Sequence, residues 1–188
     1  MSIMRNILLR MFGRPQGVLG RLGGIIMART NAECGTWVTE LLEILPTESV
    51  LEVGFGPGIV IQRLSNLAGH VAGIDPSREM VRQARARNAD ESKAVVSICG
   101  VAVSRACHST ATLSIKRSRS TQCRSPDPIA GLREIRRVLR PGGRIGLGFT
   151  RYSGQPSEGL TETLIAAGFS EAHIVRKNTD FCALAVRP

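Results

Sequence analysis

Three glycines at alternate positions, directly behind a short apolar run, constrain this chain more than any other feature. Residues 50 to 58 read Val-Leu-Glu-Val-Gly-Phe-Gly-Pro-Gly. The apolar lead predicts a buried strand, and Gly54, Gly56 and Gly58 predict a loop that exposes its main chain to a ligand. Glu52, near the carboxyl end of the strand, puts an acid beside that loop. Strand, loop and acid together make a place to hold a nucleoside.

The residues that follow extend this start into a repeating pattern. Val60, Leu64 and Leu67 mark one face of a helix opening at Gly58. His70 to Ile74 predicts a second strand, and Asp75 stands at its carboxyl end, 23 residues after Glu52. Pro76 and Ser77 start another helix, with Ser77 as N-cap and Met80, Val81 and Ala84 turned inward. A right-handed crossover lays the second strand beside the first at ~4.8 Å, which brings Asp75 next to the glycine loop. An acid placed there can accept both ribose hydroxyls of an adenosine.

The remaining elements continue the alternation. Trp37, Leu41 and Ile44 recur at helical spacing within residues 31–45, and Pro46 closes that segment. Ala94 to Cys99 predicts a third strand. Asp127 and Pro128 start a helix that buries Leu132, Ile135 and Leu139 and solvates Arg133, Arg136 and Arg137, and Pro141-Gly142-Gly143 stops it. Arg144 to Thr150 then reads as a strand and Glu158 to Ala167 as a helix. Two last strands, near His173 to Arg176 and Phe181 to Val186, are joined by a turn short enough to make them antiparallel.

Composition narrows the function classes. A length of 188 residues suits one domain with its own core. No apolar run approaches the ~20 residues of a membrane helix. The five cysteines are scattered, odd in number and free of any C-x-x-C spacing, which argues against a disulfide framework and a zinc site and suits a reducing cytoplasm. The three histidines are isolated from one another, so no metal site is expected. The net charge of +10 would suggest a polyanionic partner, but its distribution weakens that inference. Five arginines within residues 1–30 and five cations within residues 101–125, neither stretch holding an acid, equal the whole excess. No nucleic acid partner is therefore expected. Residues 1–30 read as an N-terminal lid or partly ordered segment, with peripheral membrane contact as the other reading of their arginines.

Three motifs in this order resemble those of class I S-adenosylmethionine-dependent methyltransferases, most closely the ubiquinone and menaquinone C-methyltransferases. They are Leu51 to Gly58, the run Gly73-Ile74-Asp75-Pro76-Ser77 followed by Met80, and Arg136 to Gly143. The resemblance covers residues 31–100 and 126–188. It implies a three-layer αβα Rossmann-like methyltransferase fold, α/β with a mostly parallel sheet of seven strands and an antiparallel last strand, formed by a single domain over residues 31–188. It also implies S-adenosyl-L-methionine as cofactor and a small-molecule acceptor, quinone-, lipid- or metabolite-like. Carried onto this sequence, the cofactor-binding residues are Glu52, Gly54, Phe55, Gly56, Gly58, Asp75, Pro76, Ser77 and Met80. No catalytic residue is named. The residues themselves exclude a dinucleotide fingerprint, because the pattern is G-x-G-x-G with Ile59 next, and Glu52 suits a sulfonium rather than a pyrophosphate.

Residues 101–125 depart from that pattern. A central strand covered on both faces should be continuously apolar. Here six serines and five cations surround only Leu113 and Ile115. A disordered insertion and a basic RNA-binding loop are two readings, the latter without aromatics to stack bases. The preferred one is a segment read in a shifted codon frame, which makes the fourth strand doubtful. That doubt keeps two alternatives beside a working methyltransferase: an inactive relative that retains cofactor binding, and an RNA-associated protein or RNA methyltransferase.

Overall fold

The computed structural model describes residues 32–89, 95–100, 109–116 and 127–188. A helix over residues 32–41 (α1) precedes the first strand, Ser49–Val53 (β1). Helix Ile59–Leu64 (α2), strand His70–Asp75 (β2), helix Arg78–Arg87 (α3) and strand Val95–Gly100 (β3) follow. Strand Ser109–Lys116 (β4), helix Pro128–Val138 (α4) and strand Leu139–Phe149 (β5) come next. A 3-10 turn Arg151–Ser153, helix Leu160–Ala166 (α5) and strands Ser170–Lys177 (β6) and Asp180–Val186 (β7) complete the order.

The strands form one seven-stranded sheet in the order β3-β2-β1-β4-β5-β7-β6. The first five pair in parallel, and β7 runs antiparallel to both β5 and β6. Strand order reverses at β1, which carries the glycine loop, and ligands of open α/β sheets bind at such a switch point.

Alternation along the strands separates two cores. Ile145, Leu147 and Phe149 of β5 and Phe181, Ala183 and Ala185 of β7 join Leu164, Ala167 and Phe169, with Leu132 and Ile135 of α4 packed on the same cluster. The opposite face gathers Cys34, Trp37 and Val38 of α1, Leu42 just beyond it, Val60, Ile61 and Leu64 of α2, Val50, Val71, Ala84 and Cys182. Gly146 of β5 makes room for α1, since a Cβ there would stand 2.9 Å from Val38. The result is the expected three-layer arrangement, with helices on both faces of the sheet.

Several local expectations meet their structural form. Ser77 caps α3, its hydroxyl accepting from the Met80 N–H, and Met80 and Ala84 are buried. Asp127 caps α4 through the N–H groups of Ile129 and Ala130. Others differ. α2 ends at Leu64, so Leu67 lies beyond it and is 37% exposed rather than on its buried face. Pro141-Gly142-Gly143 lies inside β5 as a bulge between the Leu139–Ser109 and Arg144–Ala111 pairs, and the turn is held by the Gly142 and Arg187 N–H groups. Arg136 is not purely solvated either: its Nε donates to the Gly168 carbonyl at 2.7 Å.

The fourth strand, doubtful from its composition, is present. β4 pairs with β1 from Val50–Ala111 to Val53–Ser114 and with β5 as far as Lys116–Phe149. Thr110, Thr112, Leu113 and Ile115 supply β-branched or apolar character that suits a pleated strand, so the ladder forms without a continuous apolar run. The pairing counts against the loss of that strand. The shifted-frame reading of the flanking residues and the lid expectation for residues 1–30 fall outside the described residues.

Candidate cofactor site

The site begins with β1 and β2 in register. Glu52 stands opposite Gly73 and Val53 opposite Ile74, and the pairing continues one step further when the Gly54 N–H donates to the Ile74 carbonyl at 2.7 Å. The crossover thus delivers Asp75 beside the glycine loop, as the spacing predicted. Gly54, Gly56 and Gly58 have φ values of 76°, 56° and 79°, which side chains rarely adopt. Gly58 also meets a packing limit, because a Cβ there would lie 2.6 Å from Ala84 Cβ.

Asp75 fastens the loop. One carboxylate oxygen accepts from the Gly56 N–H at 2.9 Å and the other from the Ser77 N–H at 2.8 Å, and the residue is 1% exposed. Burial raises its carboxyl above the usual range, and the two backbone donors oppose that rise. Each oxygen can accept a second hydrogen bond.

Glu52 is the unusual member. It is 2% exposed, and its Oε2 has no partner among the described residues. Burial, then the charge of Asp75, pushes its carboxyl well above the usual range. A buried carboxylate without a partner is costly, so this group is suited to an incoming cation or strong donor.

The other residues singled out in the sequence take different roles. The Phe55 side chain is buried in the α1–α3 core, beneath Gly73, whose added Cβ would lie 2.7 Å from the ring. Met80 is buried, Ser77 is half-buried at its cap, and Pro76 is exposed. Two residues went unnoticed. Asn88 Nδ2 donates to the carbonyls of Gly58 and Ala84, and Arg87 Nε donates to that of Pro57. They hold the loop from behind, thirty residues away in sequence. An asparagine closing a helix was the available signal, and it points to a cap rather than to a loop contact.

Among the described residues, no group of three or more His, Cys, Asp or Glu is placed to hold a metal ion, and no helix is long and apolar enough to cross a membrane.

Comparison with known proteins agrees with this fold. The family model described as a methyltransferase domain matches residues 50–143, half of the chain. The uncharacterized methyltransferase YdaC of Bacillus subtilis (strain 168) is 29% identical over 188 residues, covering 89% of this chain and 98% of that protein. An uncharacterized 37.1 kDa protein in transposon TN4556 of Streptomyces fradiae is 35% identical over 116 residues; the match covers 58% of this chain but 32% of that protein. The crystal structure of a SAM dependent methyltransferase from Aquifex aeolicus shares the fold, with a TM-score of 0.66 at 18% identity over 82% of this chain and 89% of that one.

Proposed function

This chain belongs to the class I S-adenosylmethionine-dependent methyltransferases, and from that premise we propose that its glycine loop holds the cofactor for methylation of a small-molecule acceptor. The observation that carries the reading is Glu52, a buried carboxyl with an oxygen left without a partner among the described residues, beside three left-handed glycines. The cofactor is cationic at sulfur and at its amino group, so the residues present fit it.

In this reading the main chain of Gly54, Gly56 and Gly58 lies against the methionine part, and Glu52 offsets its positive charge. Asp75 keeps its two backbone bonds and accepts the ribose hydroxyls on its remaining lone pairs. Phe55 and Met80 act from the core by fixing the loop and the start of α3, while Pro76 and Ser77 set the turn between β2 and α3. When bound, S-adenosylmethionine would supply an activated methyl group on its sulfonium, with S-adenosylhomocysteine as the other product. Alignment supplies much of the acceleration, so the chain needs few catalytic side chains. The paired β4 weighs against an inactive relative. The free buried thiols Cys34 and Cys182 support a reducing cytoplasm as its location.

The test is S-adenosylhomocysteine release by the purified chain against a panel of quinones, lipids and polar metabolites. Acceptor-dependent release is expected with at least one small molecule. Release only with RNA or protein would overturn the small-molecule reading.

A further inference from the structure

A second concavity opens at the same carboxyl end of the parallel strands as the glycine loop. It is a cavity of about 610 Å³ between α1, the residues after β5 and the turn joining β6 to β7. Nothing in the cofactor reading uses it.

Its walls differ in charge. Glu33, Trp37 and Glu40 line it from α1, and their spacing of four and three residues places them on one helical face. Arg151 and Lys177 line it from the strand ends, and Asp180, the register partner of Lys177, lines it beside them. The Arg151 N–H donates to Asp180 at 3.0 Å, which ties the turn to the end of β5. Glu40 meets Arg63 at 3.5 Å, but both side chains are about half exposed and water screens that pair. Thr150, also in the wall, is 4% exposed, and its hydroxyl has no partner among the described residues. Its oxygen is closed off from solvent, so the charged side chains of the wall are the groups that meet a ligand. Trp37 is the one large apolar side chain among the described residues of the wall.

We propose that this cavity is the acceptor site and takes a small zwitterion. An amine cation faces Glu33, Glu40 and the Trp37 ring, and an anionic group faces Arg151 and Lys177, whose two charges outweigh that of Asp180 on the same wall. This rests on the methyltransferase reading and narrows its substrate class. A long isoprenoid quinone does not suit the cavity, because its charged side chains would be desolvated without being paired.

Isothermal titration on the full chain, with and without saturating S-adenosylhomocysteine, tests the proposal. The probes are O-phosphotyramine, its two single-charge halves tyramine and phenyl phosphate, and neutral decylubiquinone. O-phosphotyramine should bind at least about tenfold more tightly than the other three. Glu33→Gln and Lys177→Ala, both exposed positions, should each weaken it by about tenfold with unchanged thermal melting. Equal or tighter binding of decylubiquinone or of a single-charge probe would overturn the proposal. So would binding indifferent to both substitutions, or no probe binding to a chain that binds S-adenosylhomocysteine. A chain that binds O-phosphotyramine but not S-adenosylhomocysteine would instead refute the cofactor reading and leave the ligand class of this cavity standing.

Discussion

Replacing Glu52 by glutamine should make the ligand-free chain more stable and the cofactor bind less well. The carboxyl is 2% exposed, one oxygen has no partner among the described residues, and its acidity is suppressed by burial first and by Asp75 second. Its folded pKa therefore lies above the unfolded value near 4.5. The folded chain holds a proton that the unfolded chain releases, so this contribution to stability is complete below that unfolded value. It is lost as pH rises toward the folded pKa. Glutamine keeps the shape and cannot ionise, so Glu52→Gln should gain on the parent as pH rises, reaching on the order of 1–3 kcal/mol, the cost of an unpaired buried polar group. Asp75 shifts in the same direction and should leave the variant a smaller residual slope. Binding should move the other way. A hydrogen bond to a charged group contributes about 1.5–3 kcal/mol, so the Kd for S-adenosylmethionine should rise roughly 10- to 100-fold. Urea denaturation from pH 5 to 8.5 gives the first quantity and calorimetric titration at pH 7.5 the second. A variant that is less stable at high pH yet binds like the parent would refute the reasoning.

Other substitutions and probes address the frame of the site. Gly58→Ala combines a left-handed φ with a 2.6 Å approach to Ala84 Cβ, and should cost roughly 2–4 kcal/mol in urea denaturation; a negligible change would contradict the packing described. Burial pushes the thiols of Cys34 and Cys182 up to about 12, so iodoacetamide at pH 8 should label neither in the native chain and both after unfolding, by peptide mass mapping. Prompt native labelling would count against their placement. Arg144 bonds both carboxylate oxygens of the half-buried Glu48 at 2.7 Å, so Arg144→Ala should cost about 1–2 kcal/mol, less at high salt. No change at low salt would show the pair to be without effect.

The parts of this fold that were legible in the sequence are those set by local chemistry. Val50 to Gly58 specified strand and loop because apolar residues and alternate glycines act within a few positions. Asp75 could be brought to that loop because a βαβ crossover has a fixed hand and short connections. The antiparallel end of the sheet followed from the brevity of the turn between β6 and β7. What escaped reading depends on partners distant in the chain. β4 forms in a serine-rich segment because ladders on both sides recruit its backbone. Arg136 turns to Gly168, and Arg87 and Asn88 turn to the glycine loop, contacts set by helix packing alone. Phe55 carries no mark that its ring, inside a ligand loop, would point into the core. The reading of α1 stopped at its apolar spacing and passed over Glu33 and Glu40, because the cations that face them come from the far end of the chain.

The central claim is that S-adenosylmethionine is held by the loop of Gly54, Gly56 and Gly58 together with Glu52 and Asp75. Hydrogen–deuterium exchange of the full chain, with and without saturating S-adenosylhomocysteine, reads the backbone of that loop directly. The account predicts slowed exchange centred on residues 54–58 and 75–80. Saturable binding that leaves those amides unchanged and protects another region would contradict it.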